Sequence, residues 1–495
     1  MILDALQNVL NLQTLLIALI GCIIGITIGI LPGEGPTIAL ALALPFTFRM
    51  DSSSALILLG TLYGSAVYGG GITAVLIGVP GTPGSVATCY DGYAMTKQGK
   101  SAVALGVATM SSFFGAIVGL AFLVLLAPAL AKVSLLFGPQ EYFMLALLGL
   151  SLIVVSSKGS MRKGFISGCI GLTLSFIGFD SLTGWARFTF GSEMLMDGIP
   201  DVPFFIGIFG VSQAILLATE KSVVKKGDVQ GRVWDGVKET FKYPVTLIKS
   251  SVMGAVLGAT PAVGITTANL LAYNEAVRSS KDPDSFGQGN PAGVIAPQAA
   301  ACAVEGGSLI PSFALGIPGS AASALFLSCL MMQGLQPGIG LFREGNTVVY
   351  SVFIGLFISY ILFLVIGLVM AKPFTYITLI RNEDLIPIIA VLCLCGAFAY
   401  SGSFDDVIFA MIAGVLGYFM RVYKYQQVPL ILGFVLGRMV ETNFQRTMLL
   451  AGYSSFITEP ISGVLFLIIL YAVFGPYVKK GIKKLIAKDE TTPAE

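Results

Sequence analysis

Apolar stretches long enough to cross a membrane recur along the chain and are separated by short polar connections. Such stretches fall at 12–31, 103–127, 348–370 and 461–474, and as helices they span or nearly span a hydrocarbon layer of roughly 30 Å. Shorter apolar runs lie between them, so the pattern predicts a bundle of transmembrane helices. Four Pro-Gly elements interrupt the apolar stretches, at 31–36, 78–84, 259–264 and 316–320. Proline removes a backbone donor and glycine lets the chain turn sharply. Within a bilayer such breaks survive only where protein or a wet cavity satisfies the freed backbone groups.

The breaks come in pairs. Gly25, Gly29, Pro32 and Gly35 reappear as Gly254, Gly258, Pro261 and Gly264 at an offset of 229. Gly-Val-Pro-Gly at 78–81 recurs as Gly-Ile-Pro-Gly at 316–319, with Gly69 matching Gly307, at an offset of 238. A duplicated unit of about 240 residues follows. The expected division is a first repeat over 1–243 ending in a basic linker, a second over 244–456, and an extra C-terminal helix and tail over 457–495.

Charge then sets the orientation of the halves, because Lys and Arg mark cytoplasmic loops. Lys221, Lys225, Lys226, Arg232, Lys238 and Lys242 cluster before the second half, and Lys479, Lys480, Lys483, Lys484 and Lys488 fill the tail. Both segments read as cytoplasmic. Counting spans backward puts Asp180, Glu193, Asp197 and Asp201 outside, and Lys158, Arg162 and Lys163 inside. Shifted by about 240, the basic loop lands on acidic 401–406 and the acidic loop on 421–427, which carries two bases. The signs swap, so the halves are expected to lie oppositely across the membrane, as in inverted-repeat transporters.

Composition supports the membrane reading. Hydrophobic residues make up 55% and charged residues 11% of the 495, with a mean hydropathy of +0.86, whereas a soluble domain carries about 25% charged residues. A net charge of +2 gives no reason to expect nucleic acid. No histidine is present, which removes the usual general base and the commonest ligand of catalytic zinc. Six of the seven cysteines sit in apolar segments without CxxC spacing and read as small core residues. No GxSxG, HExxH or P-loop occurs, and Asp91 has no second aspartate in a GxGD setting. These absences leave no catalytic site to assign, and no cofactor or metal is expected. The first apolar stretch leads into Leu-Pro-Gly-Glu-Gly-Pro rather than a cleavage site, so it is expected to be retained.

The chemistry concentrates at the breaks. Discontinuous helices meeting near the midplane aim N-termini at an anion and carbonyls at a coupling cation, Na+ or H+. Substrate-binding candidates are Gly33, Gly35, Thr37, Tyr68, Thr73, Pro80, Gly81, Ser85, Thr88, Thr266, Ser308, Pro318, Gly319, Ser320 and Ser323. For each hydroxyl the competing reading is a bond to its own helix. Glu34, Asp91, Asn269 and Glu305 are the ion-coupling candidates, since an intramembrane carboxylate is costly enough to suggest function. The glycine-rich 287–297 reads equally as a gate or a connection.

At these residues the chain resembles the large membrane subunit of the tripartite tricarboxylate transporter family. The matching text is Leu-Pro-Gly-x-Gly-Pro-Thr at 31–37, Tyr-Gly-Gly-x-x-Thr-Ala at 68–74, Pro-Gly-Thr-Pro at 80–83 and Asp-Gly-Tyr-x-Met at 91–95. It continues with Phe-Gly-x-Gly at 286–289, Gly-Val-Ile-Ala-Pro at 293–297 and Leu-Gly-Ile-Pro-Gly-Ser at 315–320. The resemblance implies a bacterial inner-membrane subunit that works with a smaller membrane subunit of about four helices and a periplasmic solute-binding protein. Together they would import a carboxylate on an ion gradient. The chain departs from the family pattern at Gly78, Ala262, Gln298, Ala301 and Cys302. Where the family has amides at the positions of Gly78, Ala301 and Cys302, their loss removes ligands, so a carboxylate other than citrate is expected. An ion channel or a non-transporting scaffold is the alternative, although a channel calls for rings of like residues from symmetric subunits.

The charge pattern is testable in intact cells. Reporter cysteines at Ser160 and Ser403 should label from opposite sides of the membrane, and labelling from one side would refute the inverted arrangement.

Overall fold

The computed structural model describes residues 2–31, 35–156, 161–180, 182–219, 229, 231–260, 264–342, 346–377 and 382–471. The principal helices of the first half are α1 (Leu12–Ile30), α2 (Pro36–Thr47), α3 (Ser52–Ile77), α4 (Thr88–Lys97), α5 (Ser101–Val133), α6 (Pro139–Ser156), α7 (Met161–Ser175) and α8 (Asp201–Thr219). In the second half, α9 (Pro244–Ala259), α10 (Gly264–Ser279), α11 (Ala292–Leu315), α12 (Ala321–Met332), α13 (Thr347–Val369), α14 (Asn382–Ser401), α15 (Phe404–Val422), α16 (Gln427–Leu450) and α17 (Pro460–Tyr471) follow. Short polar side chains start several of them by accepting a backbone N–H: Asn11 from Gln13, Asp51 from Ser54, Asn346 from Val348 and Ser403 from Asp405. Among the described residues, seven helices are long and apolar enough to cross a membrane.

The chain divides into two compact units, each drawing on both halves of the sequence. One comprises Met1–Ser134 with Pro200–Tyr423, and the other Leu135–Ile199 with Lys424–Glu495. At the centre of the larger unit lie α3 and α11, whose most apolar windows are 94% and 100% buried, against 44% for α13 and 22% for α14. The outer helices expose Leu16, Ile20, Ile23, Leu125, Phe357, Val365, Val391 and Ile412. Such a belt of bare apolar side chains is what a lipid-facing surface requires.

Glycine sets the contacts of the centre. A Cβ added at Gly29 of α1 would overlap the Ala66 carbonyl of α3, and one at Gly69 would meet the Ile26 carbonyl. On the other side, Cβ atoms at Gly258 of α9 and Gly307 of α11 would meet the Val304 and Ala255 carbonyls. The partners stand at the two offsets found in the sequence, 229 and 238, so both pairs of helices meet through corresponding residues. Backbones at such short range gain van der Waals contact where lipid offers no hydrophobic force between helices.

The remaining packing crosses between halves. Helix α5 lies on α11, with Gly115 and Gly119 against the carbonyls of Ala299 and Ala303, while α13 lies on α3, with Gly60 and Gly355 against Leu356 and Ile57. Gly207, in the π-helical stretch Ile206–Val211 of α8, and Gly210 meet Ala410 of α15 and Cys393 of α14. In the smaller unit α6 and α7 pack on α16, where Gly171 meets the Leu430 carbonyl and Gly433 meets that of Gly168. A two-residue hairpin pairs Gly178 with Arg187 there. Asp180 caps the hairpin: N–H groups of Leu182 and Thr183, the Gln445 amide and nearby Arg187 bring its carboxyl down to about 2.

Because its Cβ would overlap a backbone carbonyl, Gly115→Leu should destabilise the protein by about 3 kcal/mol or more. The lipid-facing Leu125→Ala should stay within roughly 0.5 kcal/mol of the parent. Thermal melts in detergent distinguish the two outcomes.

Candidate functional site

Helix α3 ends at Gly78, which takes the left-handed conformation at φ 71°, and α11 ends the same way at Gly316 with φ 69°. Glycine pays no Cβ penalty there and is the common helix terminator. Beyond each terminus the chain doubles back along its own helix. The Gly81 N–H reaches the Gly70 carbonyl at 3.3 Å, and Gly319 lies beside Ser308 and Gly258. Ser320 then faces Tyr63 of α3, its Oγ 3.2 Å from the phenol oxygen. Tyr63 and Gly70 are seven residues apart, about 10 Å along a helix. The first Pro-Gly turn thus lies beside Gly70 of α3 and the second beside Tyr63 of α3 and Ser308 of α11.

Both turns are capped by hydroxyls. Ser85 Oγ donates to the Thr82 carbonyl at 2.9 Å and accepts the Thr82 N–H at 3.4 Å. Ser320 and Ser323 cap α12 reciprocally, at 2.8 Å for Ser320 N–H to Ser323 Oγ and 3.1 Å for the return bond. Thr73 sits against Gly81, and its hydroxyl reaches the Gly70 carbonyl at 3.3 Å. Pro80 is half-buried and Pro318 is buried. Just past the first turn, the Ala87 N–H donates to Asn269 Oδ1 of α10 at 2.9 Å. The Asn269 amide in turn donates to the Pro297 carbonyl, and Thr88 donates to Gln298 Oε1 at 3.1 Å.

The other candidates are spread around this centre. Gly35 caps α2, and a Cβ on it would stand 3.9 Å from the Pro83 ring, whereas Thr37 and Thr266 are half-buried in the first turns of α2 and α10. Ser308 donates to the Glu305 carbonyl and touches Tyr63 at 3.2 Å. Tyr68 points elsewhere, bonded to Thr109 of α5 at 2.9 Å and stacked on Phe363 of α13. Gly33 and Glu34 lie outside the described residues, as do Pro32 and Pro261.

The two acids of the buried centre differ in what surrounds them. Asp91 of α4 is fully buried, and its Oδ1 accepts the N–H groups of Gly287, Gly289 and Asn290 at 2.8–2.9 Å. Its Oδ2 accepts the Tyr273 hydroxyl at 2.9 Å, and only a glycine at 293 lets α11 begin this close to the carboxylate. Asp91 and the glycine-rich 287–297 are thus one feature: the segment wraps the carboxylate. Glu305 of α11 is equally buried, yet neither carboxyl oxygen has a hydrogen bond of good geometry, although the Tyr360 hydroxyl and the Gly64 backbone stand against it. It faces Gly64 of α3 and Tyr360 of α13. Tyr63 and Tyr360 entered no site reading of the sequence, because each acquires its partner from more than 50 residues away, and Gln298, noted there only as a departure from the family pattern, takes its Thr88 partner from as far. Among the described residues no group of three or more His, Cys, Asp or Glu could hold a metal ion.

Apolar helices of membrane-crossing length packed around buried polar residues define a polytopic all-α membrane protein. The chain belongs to the tripartite tricarboxylate transporter TctA family, whose model matches residues 15–432. It is 33% identical over 449 residues to an "uncharacterized 52.8 kDa protein in TAR-I ttuC' 3'region" of Agrobacterium vitis, covering 90% of this chain and 89% of the relative. A second Agrobacterium vitis protein, from the "TAR-II ttuC' 3'region", is 28% identical over 214 residues, 43% of this chain and 88% of its own length. No solved structure matches the chain.

Asp91→Ala would leave three backbone N–H groups without an acceptor, at a cost of roughly 1–3 kcal/mol each. Hydrogen exchange at the amides of 287, 289 and 290 should then accelerate far more than exchange in α3. Unchanged protection would show that the segment holds itself.

Proposed function

We propose that this chain is the large transmembrane subunit of a tripartite, binding-protein-dependent secondary transporter of the bacterial inner membrane. It imports a di- or tricarboxylate on a Na+ or H+ gradient, with a smaller membrane subunit of about four helices and a periplasmic solute-binding protein. Family membership supports the class. The observation that carries the reading is the pair of Pro-Gly turns, each entering the core from one end of α3 or α11 and ending in a capped N-terminus.

The halves are read as inverted repeats. Support comes from the corresponding glycine contacts of α1 on α3 and α9 on α11, and from the crossed packing of α5 on α11 and α13 on α3. The same crossing recurs where α14 and α15 take α8 of the first half, while α6 and α7 take α16 of the second. Together with the charge pattern, these contacts support a reading in which the two turns lie on opposite sides of a pseudo-twofold axis in the membrane plane, an arrangement that many alternating-access transporters use.

The carboxylate binds between 80–85 and 318–323. No Lys or Arg occurs in either segment, so backbone N–H groups at the helix starts, with the helix dipole behind them, hold the anion. Gly81 and Gly319 bring the turns close to the core backbone, and Thr73, Ser85, Thr88, Ser308, Ser320 and Ser323 supply or position hydroxyls around them. Ser85 and Ser323 act mainly through their caps, so their alanine variants cost about 1 kcal/mol of helix-end stability.

The test is reconstitution of both membrane subunits in proteoliposomes with radiolabelled succinate, malate, tartrate and citrate. Uptake should be near background without the soluble binding protein and rise when it is added. Robust uptake of any of these acids in its absence would overturn binding-protein dependence.

A further inference from the structure

Among the polar groups of the centre that lack a well-formed hydrogen bond, one is a carboxyl. Glu305 lies in the middle of a fully buried, membrane-length helix, and both of its carboxyl oxygens are buried and lack hydrogen bonds of good geometry. An ionised carboxylate in that position is very costly, so an intramembrane acid of this kind is a candidate for proton or ion binding. A metal-type cation needs several oxygen ligands converging on it. The surroundings of Glu305 offer phenols and glycine instead.

Those surroundings can be named helix by helix. On α3 stand Tyr63 and Gly64; a Cβ at Gly64 would press on the carboxyl and on the Tyr360 ring. From α13 comes Tyr360, close enough to Glu305 for a strong electrostatic interaction, although its hydroxyl makes no hydrogen bond of good geometry. On α11 itself the neighbouring titratable group is Cys302. Helices α5 and α9 meet this stretch of α11 through Gly119 and Gly258, which carry no charge. No lysine or arginine is among these groups.

The same phenol that borders Glu305 also holds the second Pro-Gly turn. The Tyr63 hydroxyl lies 3.2 Å from Ser308 Oγ and 3.2 Å from Ser320 Oγ, the cap of α12. A negative charge appearing on Glu305 would draw the Tyr63 and Tyr360 hydroxyls toward it, and a Tyr63 proton turned to the carboxylate is no longer available to Ser308 or Ser320.

We propose that Glu305 is the proton-binding site of this transporter, linked through Tyr63 to the Pro-Gly turn that caps α12. The proposal rests on the carrier reading above and assigns its coupling ion as H+. In the closed arrangement Glu305 is a neutral acid. When the site opens, the carboxyl O–H bond breaks and water on that side takes the proton as hydronium. The carboxylate left behind accepts a hydrogen bond from a tyrosine until a proton returns from the other side.

Two experiments test this. Infrared difference spectra of the full-length protein in lipid nanodiscs, recorded across a pH titration, should show a reversible carbonyl-stretch band of a protonated carboxylic acid. That band should vanish in Glu305→Gln and shift in Tyr360→Phe. An identical band in both variants, or none in the parent protein, would overturn the proposal, and Tyr360→Phe decides the matter if Glu305→Gln does not fold. In proteoliposomes of the complete complex, an imposed difference of about one pH unit supports an about tenfold accumulation per proton carried. With labelled succinate, malate, tartrate and citrate as probes, the parent should approach that ratio and Glu305→Gln should fall to simple equilibration. Accumulation on a sodium gradient but not on a pH gradient would sink proton coupling while leaving the carrier reading intact. Failure to move any of the four acids under either gradient would count against the carrier reading, and the infrared titration would still decide Glu305.

Discussion

In hydrocarbon every backbone N–H and C=O needs a partner within the protein. This chain breaks its two most buried helices, α3 and α11, with proline and glycine, so the rest of the architecture has to satisfy what the breaks release. Left-handed glycines at 78 and 316 close the helix ends, the Gly81 N–H returns to the Gly70 carbonyl, and serine caps take up N–H groups at the restart. The turns fit because the neighbouring helices carry glycine where they approach: Gly29 and Gly70 beside the first, Gly258 beside the second. A methyl at Gly29 or Gly258 would meet a backbone carbonyl and move a backbone, and one at Gly70 would press on the Thr82 side chain of the first turn.

The two buried carboxyls show how one residue class serves opposite ends. Asp91 stays tolerable at depth because three backbone N–H groups and a phenol take its lone pairs, and in return it fixes a glycine-rich segment that has little side-chain surface of its own to pack. Glu305 receives no such compensation. A carboxyl buried among phenols and glycine without a hydrogen bond of good geometry contributes nothing to stability that leucine or glutamine would not exceed, so its presence calls for a role in which its charge state changes.

Much of the architecture could be read from the sequence, because it follows from local quantities. The stretches 12–31 and 348–370 became α1 and α13 within a residue at either end, and the Gly-x-Pro-Gly spacing located both turns. Offsets of 229 and 238 even matched glycines that make corresponding contacts. What stayed hidden depends on partners distant in the chain. Asp91 and 287–297 were each conspicuous alone, but nothing local says that one binds the other across roughly 200 residues. Tyr360 sits in an unbroken apolar run and looks like any membrane tyrosine until Glu305 is placed opposite it. The hydroxyls were ambiguous in sequence for a related reason. A serine at a break can cap its own helix or face a ligand, and here Ser85 and Ser323 are engaged in caps.

The crossed packing also makes the two turns unequal in their restraints. Beyond the first turn, Ala87 and Thr88 are bound to the opposite half through Asn269 and Gln298, and the Asn269 amide is itself fixed on the Pro297 carbonyl. The second turn reaches the opposite half through the hydroxyl pair of Ser320 and Tyr63 at 3.2 Å. Releasing the first means breaking a bond to a backbone N–H and leaving it buried without an acceptor, a cost of roughly 1–3 kcal/mol, whereas a hydroxyl can rotate to another acceptor. Tyr63 already has one in Ser308 at the same distance. The second turn is therefore the one that side-chain rotation alone can free, and it is the turn whose restraint borders Glu305.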